Sequence, residues 1–225
     1  MKKLLVFVLV CMLSLPLFAQ ERDKSSASAA PSPEITALQT AYSLAKYGYS
    51  NFSASALIGA AEILAQVQTQ ALGATADKGQ DGATSGAKTE TPEFTPANLL
   101  ADARKYAAGD STMIAWADSV QRSLNTATRG VPGGPRRTVE TVRALSSDRY
   151  SITFQGNQLA QVYVSGDGTT DLDLYIYDQY GNLIDYDDDW GDECLVRWIP
   201  RVTGTFTIVV KNLGRVYNRY YITTN

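Results

Sequence analysis

Between Asp171 and Tyr177 the chain reads Asp171-Leu172-Asp173-Leu174-Tyr175-Ile176-Tyr177, with apolar residues alternating against carboxylates and tyrosines. A period of two belongs to a strand with one face buried, because successive side chains on a strand leave opposite faces. The same period runs from about Arg149 to the end of the chain. Candidate strands are 149–154, 159–165, 171–177, 182–186, 194–199, 204–211 and 217–223. Turn-forming residues separate them at Gly156-Asn157, Gly166-Asp167-Gly168, Tyr180-Gly181-Asn182, Asp187 to Asp192, Thr203-Gly204 and Asn212 to Arg215. Short strands at near-regular spacing with hairpin turns predict an antiparallel β-sandwich of seven to eight strands over 148–225. Its inward residues should be Val162, Val164, Leu172, Leu174, Ile176, Val196, Trp198, Phe206, Ile208, Val210, Tyr220 and Ile222.

Upstream, over 34–127, the spacing becomes helical, so the fold class is α+β with about four N-terminal helices. Ser32 is placed to cap a first helix with Pro33 at its first position, and Leu38, Tyr42, Leu44 and Ala45 form its stripe up to about Gly48. A second helix opens near Ser53 to Ser55, carries Leu57, Ile58, Ala61, Leu64 and Val67, and is expected to stop at Gly73. The short connection predicts an antiparallel pair. Thr95-Pro96 repeats the cap-then-proline pattern before Leu99, Leu100, Ala103 and Tyr106. Asp110 or Ser111 then caps a fourth helix bearing Ile114, Ala117, Val120 and Leu124. Residues 73–92 have almost no large apolar side chain and read as a flexible loop. The glycines and prolines from Gly130 to Pro135 make 128–147 read as a linker, with no Gly-Lys-Ser/Thr to form a phosphate cradle. Its four arginines, from Arg129 to Arg143, are candidates to meet an acidic neighbour.

Lys2 and Lys3 precede a short apolar run from Leu4 to Phe18, and Ala19 is a suitable small residue before a cut. Residues 1–19 therefore read as a secretory signal peptide, so the protein is expected to be exported, periplasmic or extracellular. No segment after it is apolar enough to span a membrane. Cys11 lies inside the run after Val10, the wrong place for a lipoprotein anchor. The Ser- and Ala-rich stretch 20–33 is expected to be disordered. A formal net charge of −3 gives no electrostatic support for nucleic-acid binding. With residues 1–19 removed, Cys194 has no partner for an internal disulfide and reads as a buried thiol, an intermolecular bridge being the alternative. The absence of histidine excludes His-dependent triads, His-containing zinc sites and His general bases. Gly109-Asp110-Ser111, which looks like a lipase nucleophile block, is therefore read as a helix stop followed by a cap.

The stretch Ser165-Gly166-Asp167-Gly168-Thr169-Thr170-Asp171-Leu172-Asp173-Leu174-Tyr175 resembles the signature of the bacterial pre-peptidase C-terminal domain family. Asp178-x-Tyr180-Gly181-Asn182-Leu183-Ile184, the Asp187 to Asp189 run, Trp198-x-Pro200 and Gly204-Thr205-Phe206-Thr207-Ile208 continue it in order. The resemblance covers about 148–225 and says nothing about the helical half. It implies a jelly-roll-like, non-catalytic sandwich of a kind found beside enzymes in secreted bacterial proteins, and related collagen-binding modules use calcium. Here no peptidase motif precedes it.

From Asp148 onward there are 11 acidic and 6 basic residues. Asp171 and Asp173 lie on one strand face about 7 Å apart. With Asp187, Asp188, Asp189 and Asp192 they could supply the hard oxygens that calcium takes. Position 12 counted from Asp187 is Trp198, so the run is no EF-hand. The alternatives are an arginine partner, or a solvated turn in which Asp is used for its turn geometry. Tyr175 and Tyr177 should face outward beside the aspartates, either as a ligand platform or covered by the helices. The reading is a non-catalytic binding module for protein or polysaccharide, calcium its candidate cofactor; a structural envelope subunit and a carboxylate-only hydrolase are its rivals.

Overall fold

The structure is a computed structural model that describes residues 30–79, 91–126 and 134–225. The expected signal peptide, most of 20–33, the centre of the 73–92 loop and the start of the 128–147 segment lie outside the described residues. Four helices, α1 (Pro33–Ser50), α2 (Ala54–Gln66), α3 (Pro96–Tyr106) and α4 (Ser111–Thr126), begin where their caps indicate. Ser32, Ser53 and Thr95 accept from the backbone N–H groups of Ile35, Ala56 and Asn98, while Asp110 accepts from Thr112 and Met113. Each side-chain oxygen pairs N–H groups that a helix start otherwise leaves without partners.

The strands are β1 (Gln70–Ala71), β2 (Asp77–Lys78), β3 (Arg136–Val142), β4 (Ser147–Phe154), β5 (Ala160–Ser165), β6 (Leu172–Tyr177), β7 (Leu183–Asp187), β8 (Glu193–Trp198), β9 (Gly204–Asn212) and β10 (Asn218–Thr224). They form two five-stranded sheets, β1-β3-β10-β5-β8 and β2-β4-β9-β6-β7. All twelve residues expected to point inward lie in the core between the sheets.

Three segments differ from the sequence reading. The second helix ends at Gln66, not at Gly73, because the chain turns extended at Val67 and pairs β1 with β3. The stretch 128–147 is not a linker throughout: from Arg136 it forms β3, which pairs with β10 inside the first sheet. Thr138, Val139, Thr141 and Val142 are β-branched and favour a strand, but the glycines and prolines just upstream masked that preference. The 73–92 stretch contributes β2, which pairs with β4 through Asp77–Arg149 and Lys78–Asp148. The loop is therefore anchored at its start by backbone pairing, which needs no large apolar side chain.

The helices cover the outer face of the first sheet and share one core with it. β5 is buried along its whole length, sending Val162 and Val164 into the sandwich and Tyr163 toward the helices. Tyr42 of α1 stacks on Tyr221 at 4.7 Å and on Tyr163 at 6.1 Å between ring centroids. Phe94 stacks on Tyr221 at 5.8 Å. The Arg137 guanidinium lies 4.8 Å from the Tyr221 centroid and 5.4 Å from that of Tyr42. Such ring contacts add about 0.5–1.5 kcal/mol each beyond the area they bury. They outweigh the partly exposed Lys46–Asp192 pair that also joins the layers, since exposed pairs contribute about 0–1 kcal/mol.

Inside the sandwich a polar chain crosses from sheet to sheet. The Tyr220 hydroxyl donates to Asp148 Oδ2 at 2.7 Å, so the Tyr150 hydroxyl, 2.5 Å from Tyr220, must donate to it in turn. Lys78 Nζ closes the chain at 2.8 Å from Asp148 Oδ2 and 2.9 Å from Glu140. Asp148 is only 2% exposed. Burial raises its pKa against the opposing pull of Lys78 and Tyr220. Removing Lys78 leaves a buried carboxylate short of its cation. Lys78→Ala should therefore cost about 1–3 kcal/mol in urea unfolding. Lys78→Ala/Asp148→Asn should lose less than the two single costs added together.

Burial raises the hydroxyl pKa values of Tyr42, Tyr150, Tyr163 and Tyr220 above their ordinary value of 10.0, and pushes Tyr221 up to about 12. A raised folded-state pKa means that the folded chain holds these protons more tightly than the unfolded one. Their contribution is thus complete below pH 10.0 and is lost as pH rises through the folded-state values. Unfolding free energy should fall steeply above that pH, and the tyrosinate absorbance of these residues should appear together with unfolding.

Candidate acidic corner and outer tyrosine face

Four of the six aspartates of the expected cation site build turns or pair with a neighbour, and among the described residues the six are not grouped as a metal site. Asp171 Oδ1 accepts from the Gly191 N–H at 2.8 Å. Asp187 accepts from Asp189 N–H at 3.3 Å with one oxygen and from Leu195 N–H at 2.7 Å with the other. Asp192 accepts from Gly168 N–H and pairs with Lys46 Nζ of α1 at 2.8 Å, while Glu193 takes the same ammonium at 3.0 Å. Asp173 accepts the Tyr175 hydroxyl at 3.0 Å and lies 3.9 Å from Lys211 Nζ. Asp188 and Asp189 are exposed. Among the described residues no three acidic or cysteine side chains are grouped to hold a metal ion. The six aspartates thus do not fit a calcium cage in this arrangement. Lys46 of the helical layer meets the corner at Asp192, while Arg137 of β3 stacks on tyrosines instead.

The signature glycines belong to the same construction. A Cβ on Gly166 would come within 2.6 Å of both Asp192 Oδ2 and Asn218 Oδ1, and Gly168 has φ +85°. Asn218 accepts from the Asp167 N–H and donates to Thr170, and Asp167 accepts the Thr169 hydroxyl and the Arg219 N–H. The pattern of small and acidic residues is thus a hydrogen-bonded corner joining β5 to β6. Cys194 is buried beside it, with its thiol donating to Leu172 O at 3.0 Å and burial pushing its pKa up.

Tyr175 and Tyr177 lie on the outer face of the second sheet, away from the helices. In register, Asp77, Arg149, Val209, Tyr175 and Tyr186 form one row across β2, β4, β9, β6 and β7. The Tyr175 ring stacks on Tyr186 at 6.0 Å, and burial together with Asp173 pushes its hydroxyl pKa up to about 12. Tyr175 therefore spends a ring face on Tyr186, and the two tyrosines do not make a flat paired platform. Tyr177 stacks on no other ring among the described residues. Beside them lies an open cleft of about 390 Å³ lined by Tyr175, Tyr177, Val209, Arg149, Lys211 and the Leu145–Ser147 turn.

Arg149, Val209 and Lys211 were not singled out in the sequence. Their odd-numbered places in strands with even-numbered core residues mark them as outward-facing. What places them beside Tyr175 is the β4–β9–β6 register, which has no local signal.

Among solved structures, the chain is similar to the pre-peptidase C-terminal domain of collagenase from Bacillus anthracis, with 11% identity over 40% of this chain and 89% of that one, at a TM-score of 0.34. It is also similar to PliG of Aeromonas hydrophila, a periplasmic inhibitor of g-type lysozyme, with 8% identity over 44% of this chain and 91% of that one, at a TM-score of 0.34. Likenesses at this level carry no argument about the site. No family model and no curated protein matches the sequence.

Because Asp171, Asp187 and Asp192 accept from backbone N–H groups and Asp192 also pairs with Lys46, the melting temperature should be the same in EDTA and in millimolar calcium. A calcium-dependent rise that disappears in Asp171→Asn/Asp173→Asn would overturn this arrangement of the corner.

Proposed function

We propose that the protein is an exported, non-catalytic binding module that recognises a protein or polysaccharide through the outer face of its second sheet. The observation that carries this reading is the cleft beside Tyr175 and Tyr177. It combines an unstacked aromatic ring, an apolar floor and two cations on a face that the helices leave uncovered. Binding sites are concave and pair apolar or aromatic surface with a few polar groups that fix orientation. The first sheet has no such face to offer, because the helices pack against it. A pre-peptidase C-terminal type of accessory module is part of this proposal, supported by the signature running from Ser165 to Tyr175. So is export, supported by the charged and apolar N-terminal run.

Co-sedimentation with insoluble cellulose, chitin, peptidoglycan sacculi, pectin and fibrillar collagen tests the proposal. The chain should be retained on at least one matrix, and Tyr177→Ala should weaken that retention about tenfold with the fold intact. Retention on none of them, or equal retention of Tyr177→Ala, would sink this use of the cleft and favour a structural subunit.

A further inference from the structure

We infer that the cleft selects an acidic polysaccharide, with a sugar ring against Tyr177 and its carboxylate between Arg149 and Lys211. The inference rests on the binding reading above and goes further by naming the ligand chemistry.

Charge is the first ground. From Asp148 onward only 6 residues are basic against 11 acidic, yet two of the six line this one cleft. Arg149 pairs with Val209 across β4 and β9, and Lys211 lies two residues beyond Val209 on the same face. Such diagonal neighbours have side-chain origins about 7–8 Å apart, close enough for both to reach one carboxylate. Among the described residues, Arg149 forms no ion pair and Lys211 forms only a long one. Arg149 is exposed and has no ion-pair partner among the described residues, Asp77 across from it included. Lys211 is about half exposed and meets Asp173 only at 3.9 Å, the outer limit of an ion pair, while that carboxylate already accepts the Tyr175 hydroxyl.

Shape is the second ground. Val209 forms a shallow apolar floor that is 7% exposed, so there is no deep pocket to anchor an apolar peptide side chain. Tyr177 offers an aromatic ring that is not stacked on another, suited to the apolar face of a pyranose. The guanidinium of Arg149 can grip a carboxylate with two parallel N–H donors, a geometry that an ester or hydroxymethyl group cannot match. A hexuronic acid polymer presents ring and carboxylate together at every residue.

The test compares a galacturonan oligomer with the same oligomer methyl-esterified, by calorimetry on the full chain. The two probes share the same sugar rings and differ only at the carboxyl group, a carboxylate in one and a neutral methyl ester in the other. The free acid should bind about tenfold or more tightly than the ester, and its affinity should fall as salt is raised. Arg149→Gln and Lys211→Gln should each remove most of that difference, while unchanged circular dichroism shows that these exposed substitutions leave the fold intact. Equal binding of acid and ester, or selectivity that survives both substitutions, would overturn the charge inference and leave the binding face standing. No binding of either oligomer, alongside Tyr177-dependent retention on a neutral matrix, would overturn it too. The absence of Tyr177-dependent retention on any matrix would take the binding reading down with it.

Discussion

The arrangement depends on one strand that must be covered on both sides. β5 sends Val162 and Val164 into the sandwich and Tyr163 in the opposite direction, and every residue along it is buried. A sheet with such a strand near its centre cannot leave its outer face to water, since a large aromatic there would stay hydrated. The four helices provide the cover, and the stack of Tyr42, Tyr163 and Tyr221 with Arg137 over it forms the contact. One consequence reaches the functional face. With the helices committed to the first sheet, the outward side chains of the second sheet face away from them, Arg149 exposed and Tyr177 partly so.

The interior of the sandwich is not purely apolar. The Tyr150–Tyr220–Asp148–Lys78 chain carries a buried carboxylate, and each of its members has a partner. A fully paired network of this kind constrains geometry more than it adds net stability. Here it ties β2, which is two residues long and has little backbone pairing of its own, to the sheet edge next to the cleft. The wall formed by Gly79 and the Leu145–Ser147 turn is thereby held opposite Tyr175 and Tyr177.

The acidic corner illustrates how a side chain's chemistry is decided by what it reaches. Six aspartates within about twenty residues resemble a cation site on paper. In the fold they are spread over β6, β7 and two turns, and Asp171, Asp187 and Asp192 each accept from backbone N–H donors. A carboxylate that accepts from backbone amides builds a turn and has less capacity left for a metal. The resemblance to a family signature is thus explained largely by the requirements of a tight corner, in which Gly166 leaves room for Asp192 and Asn218.

The strands from β4 to β10 and their inward residues were legible in the sequence because a period of two fixes which side chains share a face, whatever the strand pairs with. The helix starts were legible because Ser32, Ser53, Thr95 and Asp110 act on N–H groups only two or three residues away. β3 was hidden by the glycines and prolines before it, and β2 by its lack of apolar side chains. What only the tertiary structure decided was the set of neighbours. Alternation marks Arg149, Val209, Lys211 and Tyr175 as outward, but it does not say which sheet stays open. Nor does it say that β4, β9 and β6 align so that these four meet, because that register is set by pairings between residues some thirty to sixty positions apart in the chain, beyond the reach of any local pattern.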